Sequence, residues 1–174
     1  LAYAAREAVR PLQTWVIDST PEEKAPSGSA WDMLGIVRTL PQSFRSRQEA
    51  IAGIEAGGFA TEVAQWMSTN LVHDAEAFRW RLDFDVMEQL LHEFFRTPMW
   101  PVLDPGAAGH DIHVLKATQS SVISAEAVAR MEALQVAPEP DRARVHVHHR
   151  EGGHWIHAES PGVVVDLLAE WLPR

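Results

Sequence analysis

A histidine that follows two glycines is the residue with the clearest chemical potential in this sequence. His154 lies in the stretch 152–161 (GGHWIHAESP), after alternating side chains at residues 144–149 and before an amphipathic segment at residues 162–172. This order predicts a strand, a loop that presents an imidazole, and a closing helix. A loop at the carboxyl end of a strand can reach a cleft above the sheet. His154 is therefore a candidate general base, although an isolated loop histidine is more often a polar surface residue.

A candidate acid follows the first strand-like segment. Residues 14–17 form a short apolar run that ends at Asp18 and is followed by Ser, Thr and Pro at 19–21. Such a run suits a buried parallel strand, and its carboxyl end would place Asp18 at the edge where α/β sheets have their sites. The same residues also describe a turn or a helix cap. From the residues alone, both interpretations of Asp18 stay open.

The C-terminal third alternates between strand and helix patterns. Residues 112–118 read as a strand, residues 125–134 as a helix and residues 144–149 as another strand, before the closing helix at 162–172. This alternation is typical of a parallel sheet with covering helices. We therefore predict an α/β protein.

The middle of the chain follows a different pattern. Residues 22–31 are rich in Pro, Gly and Ser, and helical periodicity runs from about residue 31 to residue 100. Its clearest helices are predicted at residues 46–56, 61–68 and 85–95. We expect a helical cap or lid at residues 22–104, inserted between core segments at residues 1–21 and 105–174.

Composition limits the classes of function. The formal net charge of −9 disfavours a nucleic-acid partner, since no basic patch accompanies it. The absence of cysteine excludes thiolate metal sites and a cysteine nucleophile, and it fits a cytoplasmic protein. No apolar run approaches the ~20 residues of a membrane span. The chain begins directly on a helical pattern at residues 1–9, without a preceding cap, so we expect it to be a C-terminal fragment.

A metal site is a competing interpretation of the histidines. His146 and His148 alternate onto one face of a predicted strand, and His154 and His157 follow closely. Imidazole pairs with this spacing can bind zinc. No organised carboxylate accompanies them in the sequence, so we expect neither a metal nor another cofactor.

Four motifs together resemble the C-terminal part of the α/β-hydrolases. They are VIDSTP at 16–21, STNLV with FRWRLD at 68–72 and 78–83, LKATQSSVIS at 115–124, and GHWIHAESP at 153–161. The resemblance covers nearly the whole chain, and its nearest subgroup is the small esterases of the YbfF and abhydrolase-domain-11 type. It implies a mostly parallel sheet with an inserted helical cap.

The resemblance assigns two members of a catalytic triad. In this family the histidine of the last motif is the triad base, which here is His154. Many members carry the acid directly after the penultimate strand, where this chain has Gln, Ser and Ser at 119–121. In the esterase subgroup the acid instead follows the preceding strand, in a D-I-x-P motif that the Asp-Ser-Thr-Pro beginning at Asp18 matches. Asp104 and Asp111 precede the penultimate strand and lie at its wrong end.

The nucleophile that the resemblance implies is absent from the sequence. The G-x-S-x-G elbow of such hydrolases should lie just before residue 1, and no such pattern occurs in the chain. The implied activity is that of a carboxylesterase-like serine hydrolase, and this chain without its N-terminal half should be inactive. A haloalkane dehalogenase or epoxide hydrolase, which share the fold but use an aspartate nucleophile, and a non-catalytic binding relative remain alternatives.

The resemblance also implies a small-molecule ester as the substrate. The helical insert would shape the acyl or alcohol pocket, and the residue after the triad histidine would add to it. The candidate lining residues are Phe78, Trp80, Leu90, Phe94 and Trp155.

Overall fold

The computed structural model describes residues 11–74, 76–103, 109–135 and 144–173. The predicted helix at residues 1–9 and Asp104 lie outside the described residues. The elements in chain order are β1 (Gln13–Ile17), α1 (Ser29–Thr39), β2 (Ser43–Phe44), α2 (Arg47–Ala56), α3 (Thr61–Ser68), β3 (Leu71–Asp74), β4 (Ala77–Trp80), α4 (Phe84–Arg96), α5 (Trp100–Leu103), β5 (Asp111–Ala117), α6 (Ala125–Gln135), β6 (Val145–Arg150), α7 (Ile156–Glu159) and α8 (Pro161–Trp171).

The chain divides into two compact units. The sheet unit comprises Leu1–Lys24 and Phe95–Arg174, and the insert unit comprises Ala25–Phe94. Among the described residues, no helix is both long enough and apolar enough to cross a membrane.

The sheet unit contains a three-stranded parallel sheet with the order β1-β5-β6. Each strand lies within two residues of its predicted bounds, which confirms the α/β prediction. The register places Trp15 of β1 opposite His113 of β5, and His113 opposite His146 of β6. All three strands therefore begin at one edge of the sheet and end at the other.

Alternate residues of β5 build two separate cores. Ile112 and Val114 face one side, where they pack with Ala127 and Met131 of α6. Leu115 and Ala117 face the other side, and their cluster includes residues of α7 and α8. Six of the seven β5 residues are buried, as expected for a central parallel strand covered on both faces.

The sequence pattern had indicated that the insert unit is helical throughout, but the structure shows that it is not. It contains an antiparallel sheet with the order β2-β4-β3, in which Leu71 pairs with Trp80 and Phe44 pairs with Phe78. The helical prediction was wrong here because strands of two to four residues are shorter than the window in which a helical period can be recognised. The aromatic residues of β4 are typical of a strand, and they are the sequence signal that could have revealed it.

The helices predicted in the insert unit are confirmed. The hydroxyl of Ser46 accepts a hydrogen bond from the N–H of Glu49 at 3.3 Å, so Ser46 caps the start of α2. The Glu49 carboxylate accepts from the N–H of Arg45 at 2.8 Å, rather than from the N–H of Ser46 itself. Gly57 caps the end of α2, and Gly58 has a φ of 95° that glycine adopts readily.

Replacing Met131 by Ala tests the core between the sheet and α6. The side chain of Met131 is fully buried, so its truncation should lower the free energy of unfolding by about 2–5 kcal/mol. Met131→Leu keeps the volume and should cost less than about 1.5 kcal/mol. Urea unfolding followed by circular dichroism would measure both, and equal losses in the two variants would contradict this packing.

Candidate active site

Asp18 lies immediately after β1 and is completely buried. Its N–H donates to the carbonyl of Leu115 at 2.8 Å, which continues the parallel ladder by one bond. Its φ of 43° then turns the chain out of the strand, in a left-handed conformation that aspartate tolerates better than most residues. The carboxylate oxygen Oδ1 accepts from the N–H of Ala117 at 3.0 Å. Asp18 is thereby fixed at the carboxyl edge of the sheet.

The loop after β6 brings His154 to the same edge. The N–H of Thr118 donates to the carbonyl of Arg150, and the N–H of Gln119 donates to the carbonyl of Gly152, both at 2.9 Å. These two bonds hold the loop against the segment that follows β5. Gly152 has a φ of 147°, and a Cβ there would lie 3.0 Å from the side chain of Ile156. This backbone conformation favours glycine at position 152, two residues before His154.

The structure brings Asp18 and His154 together. The Nδ1 atom of His154 lies 3.0 Å from Oδ2 of Asp18, although the two residues are 136 positions apart in the chain. A carboxylate only accepts hydrogen bonds, so Nδ1 must carry the proton and Nε2 keeps a lone pair. The imidazole of His154 is part-exposed, whereas its carboxylate partner is buried. Such a pair can accept a proton at Nε2 while the carboxylate stabilises the resulting imidazolium.

Aromatic and imidazole rings surround His154 on its own loop. The ring of Trp155 lies 5.0 Å from that of His154 in an edge-to-face arrangement, and the ring of His157 lies 5.9 Å from that of Trp155. Burial, together with the charge of nearby His154, lowers the pKa of His157. His157 therefore favours its neutral form beside His154.

The other four candidate pocket residues lie in the insert unit. Trp80 is buried with its ring 5.7 Å from those of Phe44 and Phe84, so it forms part of that unit's own core. The ring of Phe78 contacts that of His73 on the neighbouring strand at 4.8 Å. Leu90 and Phe94 expose 58% and 41% of their surface on α4. Their role as pocket lining stays a prediction.

A network of hydrogen bonds follows Asp18 in the chain, and the sequence pattern did not predict it. The hydroxyls of Thr20 and Ser124 each donate to the carboxylate of Glu22 at 2.9 Å, and the carbonyl of Pro21 accepts from the N–H of Met99 at 2.8 Å. These bonds fix the loop that carries Asp18. Thr20 and Glu22 are neighbours in the sequence, but Pro21 and Met99 are 78 residues apart and Glu22 and Ser124 are 102 apart, so no local pattern could have revealed the network.

A second group of polar residues lies at the other end of the same strands. The rings of His113 and His146 stack at 4.5 Å, and Nδ1 of His113 lies 3.0 Å from Nε2 of His148. Burial, reinforced by the neighbouring His146 and His148, lowers the pKa of His113 to about 4. The sequence pattern identified His146 and His148 as possible metal ligands but did not identify His113, because a single polar residue within a buried strand forms no recognisable pattern.

Solved structures share this fold. A marine microorganism esterase superimposes with a TM-score of 0.66 at 16% identity, over 91% of this chain and 59% of that chain. The thioesterase domain from the curacin biosynthetic pathway gives 0.63 at 11% identity, over 97% and 61%. An alpha/beta hydrolase from Novosphingobium aromaticivorans gives 0.51 at 19% identity, over 97% and 60%. No family model and no curated protein sequence matches the chain.

These likenesses define the class of fold. The chain has an α/β-hydrolase fold, with a parallel sheet and helices that correspond to the C-terminal part of that fold. It spans about six-tenths of the length of each of the three solved chains.

Replacing Gly152 by Ala tests the loop that presents His154. The φ of 147° is strained for any side chain, so Gly152→Ala should lower the free energy of unfolding by about 1–3 kcal/mol. Gly162→Ala is the control, because a Cβ at this helical position meets nothing and should leave stability unchanged or raise it by up to about 1 kcal/mol. Thermal unfolding would separate the two, and a Gly152→Ala variant as stable as the parent chain would contradict the loop geometry.

Proposed function

We propose that this chain supplies the acid and the base of a serine-hydrolase triad, with carboxylesterase-like activity. The 3.0 Å contact between His154 Nδ1 and the buried carboxylate of Asp18 carries the proposal. The proposed nucleophile is a serine outside this sequence, since no G-x-S-x-G elbow occurs within the 174 residues.

The positions of the two residues along the fold support these roles. In α/β-hydrolases the triad residues follow the chain order serine, acid, histidine, and here the acid at position 18 precedes the histidine at position 154. Both residues follow the ends of parallel strands, at the edge where α/β sheets bind their ligands. Asp111, in contrast, begins β5 and lies at the opposite edge.

The proposed mechanism uses His154 twice. Its Nε2 takes the proton from the serine hydroxyl as the oxygen attacks the ester carbonyl, and the imidazolium then gives that proton to the departing alcohol. In the second half, Nε2 takes a proton from water as the water attacks the acyl-enzyme, and it returns that proton to the serine. Asp18 stays ionised throughout and stabilises the imidazolium.

The substrate class is proposed at the level of small-molecule esters. Two of the solved neighbours are named as an esterase and a thioesterase domain, and both names describe hydrolysis at an acyl carbon. The motif resemblance to the small YbfF-type esterases favours oxygen esters. We further propose that the insert unit acts as the cap, with Leu90, which is exposed on α4, contacting apolar substrate groups.

Two substitutions in the complete hydrolase test the proposed roles. Asp18→Asn keeps an oxygen for the N–H of Ala117 but presents a donor to Nδ1, which favours the wrong imidazole tautomer. We expect kcat for a p-nitrophenyl ester to fall about 10³- to 10⁴-fold, and His154→Ala should nearly abolish turnover. The matched controls are exposed Asp166→Asn and His149→Ala, which should stay within about twofold of the parent.

The kinetic pattern decides between a catalytic and a structural role. The folded content of each variant, measured by circular dichroism, must match that of the parent enzyme. If folded His154→Ala retained substantial esterase activity, the assignment of the base would be wrong. If Asp18→Asn reduced kcat no more than Asp166→Asn does, the assignment of the acid would be wrong.

A further inference from the structure

Three potential metal ligands meet at the amino-terminal edge of the parallel sheet. Asp111 and His113 are two residues apart on β5, so their side chains point to the same face. His146 of β6 lies directly opposite His113. One ligand atom from each of the three side chains lies within 4.8 Å of the others. Two adjacent strands thus present two imidazoles and a carboxylate on one face.

The buried imidazole of His113 has an unused nitrogen. His113 is fully buried, and its Nδ1 lies 3.0 Å from Nε2 of His148. Its Nε2 has no hydrogen-bond partner among the described residues. If Nδ1 donates its proton to His148, then Nε2 holds a lone pair that no donor group of the described residues satisfies. Buried polar atoms are nearly always satisfied, so this nitrogen is a candidate ligand atom.

The distance between Asp111 and His146 fits a shared ion better than a hydrogen bond. Their Oδ2 and Nε2 atoms are 3.4 Å apart, which is long for a hydrogen bond. Two ligands bound to one tetrahedral Zn²⁺ at its usual bond lengths lie about 3.3 Å apart. The other oxygen of Asp111 accepts from the N–H of Arg144 at 3.0 Å, which orients the carboxylate.

We propose that Asp111, His113 and His146 bind a divalent transition-metal ion of the Zn²⁺ type. His148 would accept the proton on Nδ1 of His113, which is the usual second contact of a metal-bound imidazole. Trp171 of α8 covers the three imidazoles at ring distances of 5.0 to 5.3 Å. The rings of His113 and His146 are stacked 16° from parallel, so binding one ion would require them to tilt towards it.

The site is separate from the Asp18–His154 pair. Asp111 begins β5, whereas Asp18 binds the N–H of Ala117 at the end of that strand, about 20 Å away at strand spacing. The ion would cross-link β5 and β6 beside Trp171 of α8. Its existence does not depend on the proposed esterase activity.

The test is a metal titration of the chain after removal of metals with EDTA. Titrating ZnCl₂ in a calorimeter should show one bound equivalent, and CoCl₂ should give the visible spectrum of a tetrahedral site. Asp111→Asn and His146→Gln should each weaken binding by at least about 100-fold, and His148→Gln by about 10- to 100-fold. His149→Gln is the control, because His149 lies on the same strand and contacts Glu132 instead.

Stability provides an independent readout. Zn²⁺ should raise the melting temperature of the parent chain and of His149→Gln, but not that of Asp111→Asn or His146→Gln. Asp111 and His146 are partly exposed, so variants at these two positions should fold. His113 is fully buried, and it is not replaced because a change there risks unfolding the chain. Circular dichroism of the metal-free variants checks this.

Three results would overturn the proposal. One is that the parent chain takes up no stoichiometric Zn²⁺. Another is that Asp111→Asn and His146→Gln bind it as tightly as His149→Gln, which would mean adventitious binding at the surface. The last is that binding is lost only in His154→Ala or His157→Ala, which would place the ion at the other edge of the sheet.

Discussion

The central position of β5 is the constraint on which the rest of the sheet unit depends. β5 pairs in parallel with β1 on one side and with β6 on the other. Because parallel strands end at one edge, residues that follow β1 and β6 can meet there despite their distance in the chain. Asp18 and His154 meet in this way across the end of β5. The same register places His113 beside His146 at the opposite end.

Burial of Asp18 makes this arrangement energetically demanding. A carboxylate without partners in an apolar interior would lose several kcal/mol of hydration. The N–H of Ala117 and the imidazole of His154 replace part of that hydration. The hydrogen bond between Asp18 and His154 therefore has two effects. It offsets part of the cost of burying the carboxylate, and it sets the tautomer of the imidazole. The positive φ of Asp18 aims the carboxylate at both partners.

The sequence predicted elements correctly where their pattern extends over a run of neighbouring residues. Strand β5, helix α2 and the closing helix α8 were all predicted from neighbouring residues, and the structure has them within one residue of the predicted bounds. The antiparallel sheet of the insert unit was missed because its strands are short and stabilised by pairing with one another. His113 was missed because a polar residue within a buried strand has no local signature; its partners come from β1, β6 and α8.

The proposed role of Asp18 shows why local patterns were insufficient. Its sequence context describes a strand end and a turn equally well, and only a long-range contact with His154 separates an acid from a turn residue. The family resemblance, rather than the local sequence, favoured the acid. The network of Thr20, Glu22 and Ser124 depends on the same long-range arrangement.

Labelling with a fluorophosphonate would test the central claim most directly. The protein would be isolated from its natural source, and its intact mass would be compared with that of the 19.4 kDa chain, with and without the probe. We predict that a species heavier than 19.4 kDa gains one adduct, on a serine outside these 174 residues, and that the chain alone gains none. A native protein that gains no adduct would contradict the assignment of a serine hydrolase and would favour an aspartate nucleophile or a binding role.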